Sequence, residues 1–157
     1  MVSTPIDWLQ RVPIFGGIRE DTLRVLLEQA RRIEVAAGDC LCREGDPGDS
    51  MFVLERGTAS VIKQWQGREQ FLRRLQAGDC LGEMALMDLQ PRSATVRADT
   101  DCLAIEFTPA DLMRLFEQDV EQFALIQMNI GREVCRRLRD TDEQLFRLSM
   151  GLAPPPR

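Results

Sequence analysis

The 157-residue chain contains no histidine. That absence removes the serine–histidine and cysteine–histidine couples of many hydrolases, and the imidazole ligands common at zinc and haem. Carboxylate pairs and metal–carboxylate sites survive it. A surplus of basic residues is also lacking. Twenty Lys and Arg stand against 25 Asp and Glu, a net charge of -5. A general nucleic-acid binder needs cations to displace counterions, so direct DNA binding is not expected, although a local basic pocket is compatible with this balance. No apolar run approaches the roughly 20 residues that span a bilayer. The N-terminus, MVSTPIDWLQRV, lacks the basic-then-apolar order of a signal peptide. Together these absences predict a cytoplasmic protein that does not enter a membrane. The cysteines, Cys40, Cys42, Cys80, Cys102 and Cys135, are odd in number and fit no disulfide framework. Cys40 and Cys42 would face the same way on a strand. They read either as a metal or redox pair or, more simply, as small apolar side chains packing a core, and no metal site is expected.

What is present divides into three stretches and a tail. Residues 1–31 read as helical: Thr4 and Pro5 form a cap and first-turn proline, and Leu23, Leu26, Leu27 and Ala30 recur at helical spacing. Residues 32–107 carry short Val-, Ile-, Leu- and Phe-rich runs broken by turns such as Ala37-Gly38-Asp39, Gly45-Asp46-Pro47-Gly48-Asp49, Gln66-Gly67-Arg68 and Ala77-Gly78-Asp79. Their spacing is that of an all-β barrel or sandwich. The runs predict strands at Ile33–Val35, Cys40–Arg43, Ser50–Glu55, Ala59–Trp65, Glu69–Leu75, Ser93–Ala98 and Cys102–Phe107. Residues 108–150 return to helix. Thr108-Pro109-Ala110-Asp111 is a cap with a first-turn proline, and Asp119 caps a second helix reaching about Leu148. Residues 151–157 are a tail in which Gly151 and Pro154-Pro155-Pro156 stop that helix. The expected fold class is α+β: a β-barrel or jelly roll of about eight strands with N-terminal helices and a long C-terminal helix.

The long helix carries a narrow apolar seam. Gly131, Val134, Leu138, Thr141, Leu145 and Leu148 recur at spacings of 3, 4, 3, 4 and 3, flanked by charges that include Glu133, Arg136, Arg137 and Arg139. Such a stripe suits either packing on the chain's own barrel or a parallel two-stranded coiled coil, and the second predicts a homodimer through the C-terminal helix. Thr141 is the polar member. It sets helix register, or it meets a ligand under the seam.

The most informative run is Gly82 to Ala98, GEMALMDLQPRSATVRA. An acidic protein that binds a small anion needs a fixed cation and oriented backbone N–H groups. Arg92 offers a planar fork that suits two phosphate oxygens, and Pro91 fixes the chain just ahead of it. Ala85 and Ala94 keep bulk low so that backbone donors can approach. Met84-Ala85-Leu86 suits one short helical turn whose first amides face the anion. Glu83 is the residue type that accepts hydrogen bonds from a sugar hydroxyl, and Gly82 lets the backbone pass close to that sugar.

Taken together, Gly82-Glu83-Met84-Ala85-Leu86, a four-residue spacer and Pro91-Arg92-Ser93-Ala94-Thr95-Val96 resemble the phosphate-binding cassette of the cyclic nucleotide-binding domain family, the family that includes bacterial catabolite activator proteins. The likeness extends from roughly Ile14 to Leu148 and includes the turn Gly45–Ser50 and Gly57. It implies that Glu83 holds the ribose 2′-hydroxyl and Arg92 the cyclic phosphate, with backbone near Gly82 and Ala85 assisting. Ser93 would reach a phosphate oxygen or the base, and Val61, Leu72 and Leu75 would form an apolar wall. Thr141 matches the family's adenine-contacting threonine, with Asp142 next to it in place of a serine. Three fates are open to Arg73: stacking on the purine, contact with a guanine, or solvent, the last being favoured.

The resemblance implies a non-catalytic receptor whose regulatory ligand is cyclic AMP, the nucleotide that Thr141 favours. Cyclic GMP stays open through Ser93, and a cyclic dinucleotide is a lesser alternative. Ligand would pull the Gly82–Arg92 loop inward and reposition the helices after Phe107. Because little follows the seam before Arg157, no DNA-binding output domain is expected, and the signal would pass to a separate partner protein. The alternative function is an interaction module that acts through its C-terminal helix without needing nucleotide. A phosphodiesterase is the weakest reading, since no histidine or carboxylate cluster is present to activate water.

Overall fold

Alternation along the strands explains how the layers form. In strand β3, Met51–Arg56, the first four residues are all buried, at 6% exposure or less. Successive strand residues point to opposite faces, so this run must be covered on both sides. Met51 and Val53 face a helical layer, while Phe52 and Leu54 face a second sheet. Strand β8, Cys102–Phe107, repeats the division: Ile105 and Phe107 turn to the helices, Cys102 and Ala104 to the facing sheet.

The computed structural model describes residues 6–153. Thr4 and Pro5, read as a helix start, and Pro154–Pro156, read as a stop, lie outside the described residues. In chain order the remaining elements are α1 (Ile6–Leu9), a 3-10 turn (Pro13–Phe15), α2 (Glu20–Gln29), β1 (Arg31–Val35), β2 (Cys40–Cys42), β4 (Ala59–Trp65), β5 (Arg68–Leu75), β6 (Cys80–Leu81), α3 (Glu83–Asp88), β7 (Thr95–Ala98), α4 (Pro109–Gln118) and α5 (Val120–Ser149). Eight strands form two four-stranded antiparallel sheets, ordered β1-β8-β3-β6 and β2-β7-β4-β5. This is a jelly-roll α+β fold, as the turn spacing predicts. The prediction omits β6, whose two residues are too short to show a period.

The helices close over the outer face of the first sheet. Leu9, Ile14, Phe15, Leu23, Leu26, Ile126 and Ile130 pack with Met51, Val53, Ile105 and Phe107. Phe15 meets Phe107 edge to face at 5.3 Å between centroids. Thr108 and Asp111 form a reciprocal cap on α4, the Asp111 N–H donating to the Thr108 hydroxyl at 3.2 Å and the Thr108 N–H to the Asp111 carboxylate at 2.7 Å. The Asp119 carboxylate caps α5 by accepting from the Gln122 N–H at 3.1 Å. Two buried amides on α5 then fix the N-terminal segment. Asn129 donates to the carbonyls of Ile14 and Gly16 at 3.2 and 2.9 Å, and Gln122 accepts from the Arg19 N–H at 2.8 Å.

The two ends of α5 differ. Ile126 and Ile130 are buried, whereas Leu138, Leu145 and Leu148 are 59%, 65% and 74% exposed. Of the seam, Val134 packs on the core and the leucines beyond it do not pack on the barrel. Among the described residues no helix is long and apolar enough to cross a membrane.

Candidate functional site

The run Gly82 to Ala98 folds as a short helix, α3, a loop and then β7 of the second sheet. Gly82 adopts φ +79° as the N-cap of α3, a left-handed conformation that glycine reaches without strain. The position also has no room for a side chain. A Cβ there would lie 2.5 Å from Arg92 Nη1 and 2.8 Å from the Ser50 carbonyl oxygen. Gly48, on the facing turn, is equally close: its Cβ would lie 2.6 Å from Arg92 Nε. The Arg92 guanidinium is therefore wedged between two glycines. It lies 5.5 Å from the ring centroid of Phe52.

Hydrogen bonds fix Arg92 further. Its N–H donates to the Asp46 carbonyl at 2.9 Å, and its carbonyl accepts from the Gly45 N–H at 2.9 Å. Nη1 donates to the Ser50 carbonyl at 2.7 Å and Nη2 approaches the Ser50 hydroxyl at 3.4 Å. That hydroxyl donates to Glu106 Oε1 at 2.8 Å, and Glu106 also pairs with Arg31 at 3.1 Å. Arg92 is only 7% exposed, yet among the described residues it has no carboxylate partner of its own. A buried cation without a counter-ion is costly unless an anion reaches it.

Glu83 complements it. This carboxylate is 3% exposed. Oε1 accepts from Arg137 of α5, while Oε2 is buried with no hydrogen-bond partner among the described residues. Arg137 also donates to the Cys80 carbonyl at 2.5 Å and pairs through Nε with Glu133 at 3.2 Å. Burial works against the charge on Arg137, but Glu83, Cys80 and Glu133 outweigh it and hold its pKa above the ordinary arginine value. Burial also pushes the Cys80 thiol up to about 12, with Glu83 adding to the rise and Arg137 opposing it.

Glu83, Arg92, Gly82, Met84, Ala85, Ser93, Ala94, Val61 and Arg73 line one cleft, together with Cys42, Leu81 and Val96. The cleft encloses about 420 Å³, including solvent at its mouth. Nine of the twelve binding residues read from the sequence thus come together. Three do not. Leu75 is 2% exposed and packs in the core between the sheets, outside the cleft. Leu72 is 45% exposed, because alternation along β5 from the buried Leu75 turns Arg73 inward and Leu72, with Arg74, outward; Leu72 is also the residue left without a partner where the register with β4 shifts. The same alternation places Arg73 on the cleft side beside Val61, not in solvent, the fate the sequence favours. Thr141 is exposed, and its hydroxyl donates back to the Arg137 carbonyl at 2.9 Å.

Cys42 and Arg137 are the contributions the sequence does not announce. Cys42 lies on β2, and burial raises its thiol pKa while the charge of Arg92 opposes the rise. That is the state of a packing thiol rather than a thiolate nucleophile. Arg137 stands in sequence among the charges flanking the seam, and only the folded helix brings it to Glu83. The cleft therefore offers a carboxylate with a spare oxygen, an arginine without a counter-ion and an apolar wall. It suits a small monoanion that carries a hydroxyl and a flat apolar group.

Residues 32–119, more than half of the chain, match the model of the cyclic nucleotide-binding domain. The chain belongs to that family. The regulatory subunit of a cAMP-dependent protein kinase from Emericella nidulans is 34% identical over 60% of this chain and 22% of its own length. A cGMP-dependent protein kinase from Drosophila melanogaster is 35% identical over 64% of this chain and 11% of its own. The chain thus spans about a fifth and a tenth of those relatives. The catabolite activator protein of Thermus thermophilus superposes with a TM-score of 0.76 at 27% identity, covering 87% of this chain and 63% of that one. The family is a binding domain, and among the described residues no group of His, Cys, Asp and Glu is placed to hold a metal.

Proposed function

We propose that the protein is a cyclic nucleotide receptor that binds cyclic AMP or cyclic GMP in the Glu83–Arg92 cleft and signals by moving its C-terminal helices. The observation that carries this is the pairing of two incomplete groups in one cleft. Among the described residues Arg92 is a buried cation with no carboxylate partner, and Glu83 has a buried oxygen with no donor. A cyclic phosphate supplies the anion and a ribose 2′-hydroxyl supplies the donor, each where it is lacking. Gly82 and Gly48 keep the guanidinium accessible by withholding side chains. Ser93 and the backbone around Ala85 are the neighbouring donors.

In this reading residues 32–107 hold the ligand and residues 108–150 report it. Arg137 is the direct tie, because it reaches from α5 to the carboxylate that meets the sugar. The exposed leucines at the far end of α5 favour a homodimer, and the output passes to a separate protein partner in the cytoplasm. The same leucines favour a second reading, an interaction module that acts through α5 without nucleotide.

Isothermal titration with cyclic AMP and cyclic GMP tests the proposal. Micromolar or tighter binding of either one, abolished by Arg92→Ala, is the expected result. Absence of heat and of any thermal shift with both nucleotides would overturn it. A partner pull-down indifferent to Glu83→Ala and Arg92→Ala would favour the second reading.

A further inference from the structure

Among the described residues five methionines stand open to solvent: Met84, Met87, Met113, Met128 and Met150, at 48% to 62% exposure. Of these only Met84 lines the cleft. It is the second residue of α3, next to Glu83, and its sulfur lies 3.9 Å from the Ser93 hydroxyl, which donates to it. Among the described residues that is the one hydrogen bond the hydroxyl makes. A thioether is a weak acceptor. A ligand oxygen can therefore draw the Ser93 donor away from sulfur at little cost.

An exposed thioether is also open to oxygen transfer from a peroxide. The sulfur lone pair attacks one peroxide oxygen. The S–O bond forms as the O–O bond breaks, and the departing hydroxide takes the remaining proton to leave as water. Sulfur gives up two electrons and hydrogen peroxide accepts them. The product turns a flexible apolar side chain into a polar one. Its oxygen is a strong acceptor with partial negative charge, set one bond beyond a sulfur that already faces the Ser93 hydroxyl. That brings the pair within ordinary hydrogen-bond range.

We propose that Met84 is a site of reversible oxidation, and that its sulfoxide lowers the affinity of the cleft for an anion by holding the Ser93 hydroxyl and placing negative charge at the mouth. The proposal rests on the use of this cleft for a cyclic nucleotide. Arg92 and Glu83 stay in place, so binding is weakened and not abolished. Cys42, the thiol that shares the cleft, competes poorly for the same oxidant: burial keeps it protonated, and the thiolate is the reactive form.

The test compares each protein with itself before and after hydrogen peroxide, with dithiothreitol added afterwards to return oxidised cysteines to thiols. Peptide mass spectrometry locates the added oxygen, and circular dichroism with a thermal midpoint confirms the fold. Titration with cyclic AMP and cyclic GMP reads affinity. In wild type, Met84 should gain one oxygen and the dissociation constant should rise about tenfold, the scale of one hydrogen bond to a charged group. Methionine sulfoxide reductases A and B, one for each sulfoxide epimer, should restore it. Met84→Leu should give the same constant before and after peroxide, whereas Met87→Leu should respond as wild type does. Ser93→Ala should lose most of the response, because the donor that the sulfoxide holds is gone. Four results overturn the inference while leaving the receptor standing: oxidation that reaches the other exposed methionines and spares Met84, an unchanged constant in oxidised wild type, a response that persists in Met84→Leu, and a full response in Ser93→Ala. Failure of both nucleotides to bind before oxidation overturns the receptor, and the inference with it.

Discussion

Arg137 of α5 donates to the Glu83 carboxylate from 54 residues further along the chain, and so joins the cleft to the long helix. Both partners are largely buried, with 16% and 4% of their side chains exposed. Removing one partner of such a pair leaves the other charged and unsatisfied. Arg137→Met keeps much of the packing stem but removes the donors, and should cost about 3 kcal/mol of stability. Urea unfolding measures it. A double variant, Glu83→Gln with Arg137→Met, should recover part of the loss. An unchanged midpoint in the single variant would show that the pair contributes nothing to the fold.

Gly48 and Gly82 both crowd Arg92, but for separable reasons. Gly48→Ala tests steric displacement alone, since its Cβ meets the guanidinium at 2.6 Å. Gly82→Ala adds the strain of φ +79°, roughly 1 kcal/mol or more. Both should weaken nucleotide binding at least tenfold, and only Gly82→Ala should also show the backbone penalty in thermal unfolding. Unchanged affinity in Gly48→Ala would mean that the guanidinium can shift without consequence.

Glu106 reaches Arg92 only through the Ser50 hydroxyl. Glu106→Gln and Ser50→Ala should each weaken binding about tenfold, the scale of one hydrogen bond to a charged group. In an Arg92→Ala background the same changes should have no further effect. A double-mutant cycle by titration calorimetry reads this coupling directly. Additive losses would place Glu106 outside the Arg92 network.

The Cys80 thiol predicts an alkaline limit to stability. Its folded pKa, about 12, lies above the ordinary value of 9.0. A group with a raised folded pKa holds its proton in the native state and releases it on unfolding. Its stabilising contribution is therefore complete below pH 9 and declines as pH rises toward 12. The Cys80 share of the fall should be about 2–3 kcal/mol between pH 9 and pH 11, and Cys80→Ala should remove that share while the raised Cys42 and Cys102 thiols keep theirs. The chain has no tyrosine to confuse the measurement. Urea midpoints across the range decide it.

The leucines at the far end of α5 are expected to hold two chains together. Leu138→Glu with Leu145→Glu should convert a dimer to a monomer in sedimentation equilibrium, with little change in the barrel. A wild-type protein that sediments as a monomer at all concentrations would remove the dimer.

The parts legible in the sequence are those whose signals are local. Thr108-Pro109-Ala110-Asp111 announced a capped helix, and Gly82–Val96 announced the cleft, because each needs only neighbouring residues. Glycine-punctuated turns gave seven of eight strands, and β6 escaped because two residues carry no alternation. The Leu72 bulge was not legible, since an extra residue in a strand is defined only against its partner. The sides of Leu72 and Arg73 follow instead from plain alternation with Leu75, which cannot share a face with Leu72. Arg137 was invisible for a similar reason. It reads as a flanking charge until α5 reaches the cassette, and Thr141, one turn further on, stays exposed with its hydroxyl on the Arg137 carbonyl.

Glu83 has two oxygens with different owners: one is held by the chain's own helix, and the other has no donor among the described residues. A ligand hydroxyl need not evict Arg137 to bind. Whatever affinity the ligand gains from a carboxylate kept in place by α5, α5 gains in hold from a carboxylate kept in place by ligand, and the two gains must be equal. Any partner that pulls α5 away would therefore loosen the nucleotide by the same factor by which the nucleotide resists the partner. The dissociation constant measured with and without the partner would then give the strength of the signal without observing any motion.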